Sequence, residues 1–177
     1  TTFATSTSTS NLRFGDTAIT VPLGGAIVNT LTWNGISAAR ALSFSAGTDT
    51  LTLTSGGLLV GTNNAATSIG STAVRGQLTA GSDQSELILN VGANVLTVNS
   101  AIIDNGVSGG LNLVMDGMSQ STSTPTLTLA GANTYLGTAY VNAMVVNLNN
   151  LTGAGNAITG SLIISGGNNN ATDSMPI

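Results

Sequence analysis

Apolar and polar residues alternate strictly along several short segments of the chain. Residues 50–54 read Thr-Leu-Thr-Leu-Thr, residues 126–129 read Thr-Leu-Thr-Leu, and residues 96–99 follow the same rule. Such alternation places the apolar side chains on one face of a β-strand and the polar side chains on the other. Thr and other β-branched residues also favour strands over helices. We therefore predict an all-β protein whose apolar strand faces form the core.

The register of these segments predicts which side chains point inward. Thr52 and Thr128, which lie between leucines, are expected to point outward. The leucines expected to point inward are Leu51, Leu53, Leu111, Leu113, Leu127 and Leu129.

Turn-forming clusters separate the predicted strands. Residues 55–57 (Ser-Gly-Gly) and 105–106 (Asn-Gly) are typical of corners that need a positive φ. Residues 63–72, which Gly and Asn interrupt, are predicted to be a loop. Apolar centres recur about every 15–20 residues, which predicts a stack of repeats, a β-solenoid. These centres lie near Val95, Leu111, Leu127, Val145 and Ile163.

An antiparallel β-sandwich would show the same alternation and is the alternative fold. Aromatic residues make up only 3% of the chain, whereas a sandwich core about 10 Å thick usually contains more of them. Small aliphatic side chains suit a narrow solenoid interior. Asn and Thr at the corners can also stack on like residues of neighbouring repeats. These features favour the β-solenoid.

The scarcity of charge excludes several functions. Charged residues make up 6% of the chain, against about 25% in an ordinary soluble domain, and the formal net charge is −4. His and Cys are absent, which excludes disulfides and removes the usual zinc and haem ligands. Three basic residues are too few to neutralise a nucleic-acid backbone, and no segment reaches the roughly 18 apolar residues that cross a bilayer. We expect one β-solenoid domain over residues 1–177, without cofactor, metal, nucleic-acid partner or membrane span.

Residues 126–148 carry Leu, Gly, Asn, Thr and Tyr at fixed spacing. They read TLTLAGANTYLGTAYVNAMVVNL and closely resemble the autotransporter-associated β-strand repeat, whose typical pattern is T-L-T-L-x-G-x-N-T-Y-x-G-x-T-x-V-x-x-G-x-L. Residues 98–113 resemble the segment that usually precedes this repeat. The chain departs from the pattern at Leu136, Ala139 and Met144. The matching positions are Leu127, Leu129, Gly131, Asn133, Thr134, Tyr135, Gly137, Val141 and Val146.

This resemblance implies a right-handed parallel β-helix. It also implies export to the outside of a bacterial cell, usually as one stretch of a long surface or secreted protein. Such regions typically act as stalks, adhesins or extracellular fibres. We expect a cell-surface or matrix polysaccharide as a partner of this chain, besides other copies of itself.

The acids are the candidate catalytic residues, because enzymes that degrade polysaccharides on β-helices use clustered carboxylates. A glycosidase needs two of them about 5–10 Å apart. Asp104 and Asp116 are the pair that neighbouring repeats would bring together; the alternative is that each caps backbone N–H groups in a turn. A Ser nucleophile lacks a His or Lys base. The seven acids are Asp16, Asp49, Asp83, Glu86, Asp104, Asp116 and Asp173.

Three other binding functions have weaker support. Residues 166–170 (Gly-Gly-Asn-Asn-Asn) lack the acids of a repeat-toxin calcium site. Trp33, Tyr135 and Tyr140 are candidates for a carbohydrate platform, although Tyr135 belongs to the repeat pattern and is expected to be structural. The Thr residues at 50, 52, 54, 126 and 128 are candidates for an ice-binding face, but the segments between them do not keep Thr in register.

Together these observations predict a non-enzymatic, extracellular structural segment. About eight rungs at roughly 4.8 Å spacing would form a rod about 40 Å long. The open ends of a solenoid favour end-to-end association into filaments, with residues 1–10 as an extended N-terminal strand or arm for a neighbouring copy. The chain begins at Thr1, without an initiator Met, and we expect a mature chain or a fragment. The alternatives are a polysaccharide-degrading β-helix enzyme and an ice-binding solenoid.

Overall fold

The computed structural model describes residues 3–34, 38–61, 65–92, 95–118, 124–149 and 155–165. A single 3₁₀ turn, Phe3–Thr5, precedes fifteen strands, and these residues contain no α-helix. No helix in the described part combines the length and apolar character that crossing a membrane requires. The strands are β1 (Asn11–Phe14), β2 (Ile19–Val21), β3 (Ala26–Trp33), β4 (Arg40–Phe44), β5 (Thr50–Val60), β6 (Thr67–Ile69), β7 (Gln77–Ala80), β8 (Glu86–Val91), β9 (Val95–Val98), β10 (Ala101–Ile102), β11 (Asn112–Gly117), β12 (Thr126–Leu129), β13 (Ala139–Asn142), β14 (Val145–Leu148) and β15 (Leu162–Ser165).

The strands form two sheets whose described strand pairs are all parallel. The long sheet has the order β1-β3-β5-β8-β11-β13-β15, with β7 beside β5 and β10 beside β7. The short sheet has the order β14-β12-β9-β6-β4-β2. The chain alternates between the sheets for most of its length and pairs each strand with the one laid down a repeat earlier. The all-β prediction is confirmed, the antiparallel sandwich is wrong for the described strands, and the parallel sheets are consistent with a β-solenoid.

Most repeats are longer than the sequence predicts, and they differ in length. The first repeat is short, and in it Leu12 pairs with Leu31. Later repeats are longer: Leu58 pairs with Leu89, and Met115 pairs with Val141. The predicted spacing between apolar centres is too short for these longer steps, because the centres used for it belong to both sheets. Residues 63–72 also contain β6 rather than only a loop, because Thr67 and Ile69 face the interior.

A continuous column of aliphatic side chains runs through the interior behind the long sheet. In the register, Leu12 lies beside Leu31 and Leu58 beside Leu89, and Met115 continues the column to Val141. Each side chain contacts its counterparts one strand spacing, about 4.8 Å, above and below. The column makes the apolar interior continuous from the first strand to β13. Its described members, in order, are Leu12, Leu31, Leu58, Leu89, Met115, Val141 and Ile164.

The predicted inward and outward positions are confirmed. Thr52 and Thr128 are half-buried on the outer faces of their strands. The leucines predicted to point inward all have no exposed surface: Leu51, Leu53, Leu111, Leu113, Leu127 and Leu129.

The N-terminal segment folds back over the interior. Phe3 is only 7% exposed, and its ring lies 5.7 Å from the ring of Phe14. The carbonyl of Ser8 accepts a hydrogen bond from the Thr54 hydroxyl. Residues 3–10 are therefore not the extended arm that their Thr and Ser content predicts, because burial of the Phe3 ring outweighs local strand preference. Thr1 and Thr2 lie outside the described residues.

Substitutions at two adjacent positions of β12 test the register. Leu129→Asp would bury an unpaired charge and is expected to lower the free energy of unfolding by about 4 kcal/mol or more. Thr128→Asp places the same charge on the outer face and should cost less than about 1 kcal/mol. Urea unfolding of both variants measures the difference. Equal losses would contradict the assigned faces of the strand.

Candidate functional site

The carboxylate of Asp104 caps backbone N–H groups in a turn. Its Oδ1 accepts hydrogen bonds from the backbone N–H groups of Leu111, at 2.8 Å, and Leu136, at 3.4 Å. Its Oδ2 accepts a hydrogen bond from the backbone N–H of Gly106, at 3.1 Å. The carboxylate thus satisfies donors of its own loop and of the following repeat, and the interpretation of Asp104 as a turn cap is confirmed.

Asp116 lies on a strand and is remote from Asp104. It occupies an outward position of β11, where its Oδ2 accepts a 2.9 Å hydrogen bond from the Asn90 side chain on β8. The interpretation of Asp116 as a turn cap is therefore wrong. Asp104 is tied to Leu111 just before β11, and the extended chain from Leu111 to Asp116 spans roughly 16 Å. The structure does not bring these carboxylates to the separation that a glycosidase needs.

Sequence reasoning missed the burial of Asp49. This carboxylate is 3% exposed, and it accepts hydrogen bonds from the backbone N–H groups of Gly24, at 2.9 Å, and Ala46, at 2.5 Å. Two backbone donors offset the cost of removing a carboxylate from water. Asp49 therefore fastens the corner before β5 to the preceding repeat. The only sequence signal was its position after Gly47 at the start of a strand, which is typical of a turn.

The remaining acids do not assemble a site in the described part of the chain. Asp83 and Glu86 are both exposed, close to the start of β8. Asp173 and the candidate calcium segment, residues 166–170, lie outside the described residues. Within the described ranges no group of three or more Asp, Glu, His or Cys side chains is placed to hold a metal ion.

The candidate carbohydrate platform does not form from its three aromatic residues. Trp33 and Tyr135 are completely buried, so neither can present a ring to a ligand on the surface. Tyr140 is half-buried on the outer face of β13. Burial raises the pKa of the Tyr135 hydroxyl above its ordinary value, and interactions with Thr159 offset part of this rise.

The outward Thr residues do not form a continuous row across the described strands. Thr128 lies beside Thr97 on one side but beside Asn147 on the other. Thr52 lies beside Thr79 on one side but beside Ile27 on the other. Ice-binding solenoids need Thr pairs that recur from strand to strand, and the described register interrupts them after one step.

Asn133, the Asn of the repeat-like pattern, joins three consecutive repeats. Its Oδ1 accepts a 2.8 Å hydrogen bond from the Ile102 N–H, and its Nδ2 donates a 2.7 Å bond to the Ala157 carbonyl. Its own N–H donates to the Asn156 carbonyl at 3.1 Å. The residue is 3% exposed. This corner Asn bonds to the backbone of its neighbours rather than stacking on like side chains.

These features define a class, an all-β protein with parallel sheets, which is consistent with a β-solenoid and whose corner side chains bond to backbone groups. Compared with known protein families, with curated proteins and with solved structures, the chain matches none. The likeness of residues 126–148 to the autotransporter-associated repeat therefore stays a prediction.

The corner between β13 and β14 departs from the repeat pattern in its backbone. Ala143 adopts a φ of 51°, and it is the one described residue other than Gly with a positive φ. The pattern places Gly at the next position, which Met144 occupies here. Met144 packs against the core, beside Gly117 of β11. The left-handed backbone therefore lies at position 143, one residue before the Gly position of the pattern, and the residue at that Gly position fills space in the core instead.

Glycine substitutions at this corner test the arrangement. Ala143→Gly removes a left-handed backbone cost of about 1–2 kcal/mol and adds about 0.5–1 kcal/mol of chain entropy to the unfolded state, so stability should rise by up to about 1 kcal/mol. Met144→Gly restores the residue of the pattern but removes core packing, so it should destabilise. Thermal melts compare the two variants. A stabilising Met144→Gly would contradict the observed corner.

The buried Tyr135 hydroxyl predicts a loss of stability in alkali. Its folded-state pKa is raised, so the folded protein keeps a proton that the unfolded chain releases near its ordinary pKa of about 10. Unfolding then releases a proton, and stability should fall above pH 10 by up to about 1.4 kcal/mol per pH unit. The chain has no Lys or Cys to obscure this titration.

Urea unfolding of Tyr135→Phe between pH 8 and pH 11 isolates the effect. The variant should lose most of the alkaline slope, whereas Tyr140→Phe should retain it. Equal slopes in the wild type and in Tyr135→Phe would show that another group controls alkaline unfolding.

Proposed function

We propose that the protein is a non-enzymatic structural β-solenoid, which serves as a stalk, fibre or adhesin segment. In this proposal the strands form a right-handed parallel β-helix of about eight rungs, for which the seven-strand path of the long sheet supplies the frame. The observation that carries the proposal is the use of the corner side chains. At the corners, Asp49, Asp104 and Asn133 bond to backbone groups of neighbouring repeats.

The corner carboxylates and amides support this proposal. Asp49, Asp104 and Asn133 each accept hydrogen bonds from backbone N–H groups of a neighbouring repeat. Asn105 donates its side-chain N–H groups to the carbonyls of Gly81 and Gln84. Polar groups whose hydrogen bonds are already made within the protein gain little free energy from binding a substrate. Their role is to keep neighbouring repeats aligned.

The basic residues are used in the same way. Arg75 donates from Nη1 to the Ala130 carbonyl at 2.8 Å, and Arg40 donates from Nε to the Asp16 carbonyl at 2.6 Å. Both guanidinium groups therefore help to fix the fold. Because the protein surface carries few free charges, we propose an uncharged cell-surface or matrix polysaccharide as a partner. A second proposed partner is another copy of the chain, in contact end to end. Tyr140 is the aromatic side chain available on the outer face.

An extracellular position on a bacterial surface is part of the same proposal. It is supported by the likeness of residues 126–148 to the autotransporter-associated repeat, and by a skin rich in Thr, Ser and Asn with 6% charged residues overall. A rod of this kind acts by length and stiffness rather than by chemistry. Its stability is the sum of the contacts between successive repeats.

Incubation with neutral and acidic polysaccharides, with and without calcium, tests the proposal. The 177-residue chain should release no reducing ends, and negative-stain electron microscopy should show short rods. The competing interpretation is a polysaccharide-degrading enzyme. Turnover that Asp116→Asn abolishes and Asp83→Asn preserves would overturn the structural function. Both substitutions replace side chains outside the core, so loss of folding would not account for a difference.

A further inference from the structure

The corner that follows β10 contains a chemically reactive pair of residues, Asn105 and Gly106. In an Asn-Gly sequence the backbone nitrogen of Gly attacks the side-chain amide carbon of Asn readily, because Gly has no side chain to hinder the approach. Gly106 is exposed at this corner and adopts a φ of 79°. The pair therefore has the composition of a deamidation site, and the hydrogen bonds around it decide when it reacts.

The side chain of Asn105 is held at both of its polar atoms. Its Nδ2 donates to the carbonyls of Gly81, at 2.6 Å, and Gln84, at 2.8 Å. Its Oδ1 accepts a 3.2 Å hydrogen bond from the N–H of Val107. An amide nitrogen carries two hydrogens, so both are in use. The carbonyl and the leaving nitrogen of the reaction are thus fixed in the folded chain.

The attacking nitrogen is held as well. The N–H of Gly106 donates to Oδ2 of Asp104 at 3.1 Å, and Oδ1 of the same carboxylate accepts from the N–H of Leu136. The nitrogen must lose its proton before it attacks, and a carboxylate in contact opposes this loss because two negative charges would meet. Asp104 and Asn105 therefore protect the reactive pair while they tie this corner to the repeats after and before it.

We propose that Asn105 is a site of spontaneous deamidation that reacts only when this corner opens. In the open corner, the deprotonated nitrogen of Gly106 forms a bond to Cγ of Asn105, the Cγ–Nδ2 bond breaks, and ammonia leaves with a proton from water. Water then adds to the cyclic imide and opens it to aspartate or isoaspartate. The net reaction converts the amide and water into a carboxylate and ammonium.

The product does not fit the closed corner. A carboxylate has no hydrogen to donate, so at position 105 it would face the carbonyl oxygens of Gly81 and Gln84, which accept both bonds from the amide. These oxygens would lose their donors and repel the new charge. Deamidation therefore makes the opening of the corner irreversible and uncouples it from the preceding repeat. This modification goes beyond the proposed structural function and does not depend on it.

Ageing of the 177-residue chain at pH 8 is the first test. Trypsin cuts after Arg40 and Arg75, so Asn105 falls in a different peptide from Asn34, which belongs to the chain's other Asn-Gly pair. Fragmentation mass spectrometry then measures aspartate and isoaspartate at position 105. The unprotected reference is a synthetic peptide of residues 101–110.

We expect Asn105 to react at least about tenfold more slowly in the folded chain than in the peptide, because only the open corner reacts. In urea the chain should react as fast as the peptide in the same urea. Equal rates in the folded chain and the peptide would overturn the proposal. A chain that stays unmodified in urea, where the corner is open, would overturn it as well.

Asp104→Ala tests the contact that holds the attacking nitrogen. In the folded chain this substitution removes the acceptor of the Gly106 N–H and should raise the deamidation rate severalfold. The same substitution in the peptide should change the rate much less, because the peptide does not hold the carboxylate in place. An equal change in chain and peptide would contradict protection by the fold.

Asn105→Asp reproduces the aspartate product. The backbone amides of residues 101–107 should exchange with deuterium at least about tenfold faster than in the wild type, because the corner does not close. The matched control is Asn11→Asp: Oδ1 of Asn11 accepts 2.8 Å hydrogen bonds from Asn29 and Thr30, and a carboxylate keeps both. Wild-type exchange in Asn105→Asp would overturn the irreversible opening. The ageing measurement uses the natural sequence, so it stands even if this variant does not fold.

Discussion

The parallel register is the constraint on which the rest of the structure depends. Because each strand pairs with one laid down a repeat earlier, every inward side chain lies directly between two others. The column from Leu12 to Val141 satisfies this condition with aliphatic side chains of similar size. One charged or oversized side chain in such a column would disturb two neighbouring strands as well as its own. This explains why most interior strand positions are Leu, Val, Ile or Ala, whereas the outer faces tolerate varied residues.

The same register explains how the polar side chains are used. Parallel strands that return after each repeat leave backbone groups at every corner without strand partners. Asp49, Asp104 and Asn133 satisfy such groups, and each does so across neighbouring repeats. Arg75 performs the complementary task by donating to carbonyls. Several charged and amide side chains of this sparsely charged protein therefore align the backbone of neighbouring repeats.

Sequence patterns predicted the strand faces well and the corners poorly. Alternation is a local property, so the inward positions of residues such as Leu51 and Leu127 could be predicted without any tertiary information. The repeat length, the short strand β6 and the burial of Phe3 depend on contacts with residues distant in sequence, which alternation does not encode. The same limit applies to the chemistry. Asp104 and Asp49 each bond to a backbone N–H of their own loop, as a turn position predicts. Their bonds to Leu136 and Gly24 reach other repeats, and the sequence does not reveal them.

The aromatic residues show the limit of reasoning from residue type. Trp33 lies between Phe14 and Val60 in a second interior column, which continues through Val91 to Gly117. Side-chain volume falls along that column from an indole to a single hydrogen. Met144 packs beside the glycine at its far end. A carbohydrate platform and an interior column both use Trp, and only the register distinguishes them.

The unequal repeat lengths have an engineering consequence. The step from Leu58 to Leu89 is much longer than the step from Leu12 to Leu31, yet both keep their strands in register within one stack. Most of the difference is therefore absorbed between strands, and connections that vary in length in this way are suitable places for inserted peptides. Because successive strands lie about 4.8 Å apart, inserts in consecutive repeats would be presented at a fixed molecular pitch. Foreign epitopes inserted into successive repeats could thus be held at defined intervals along the stack of strands.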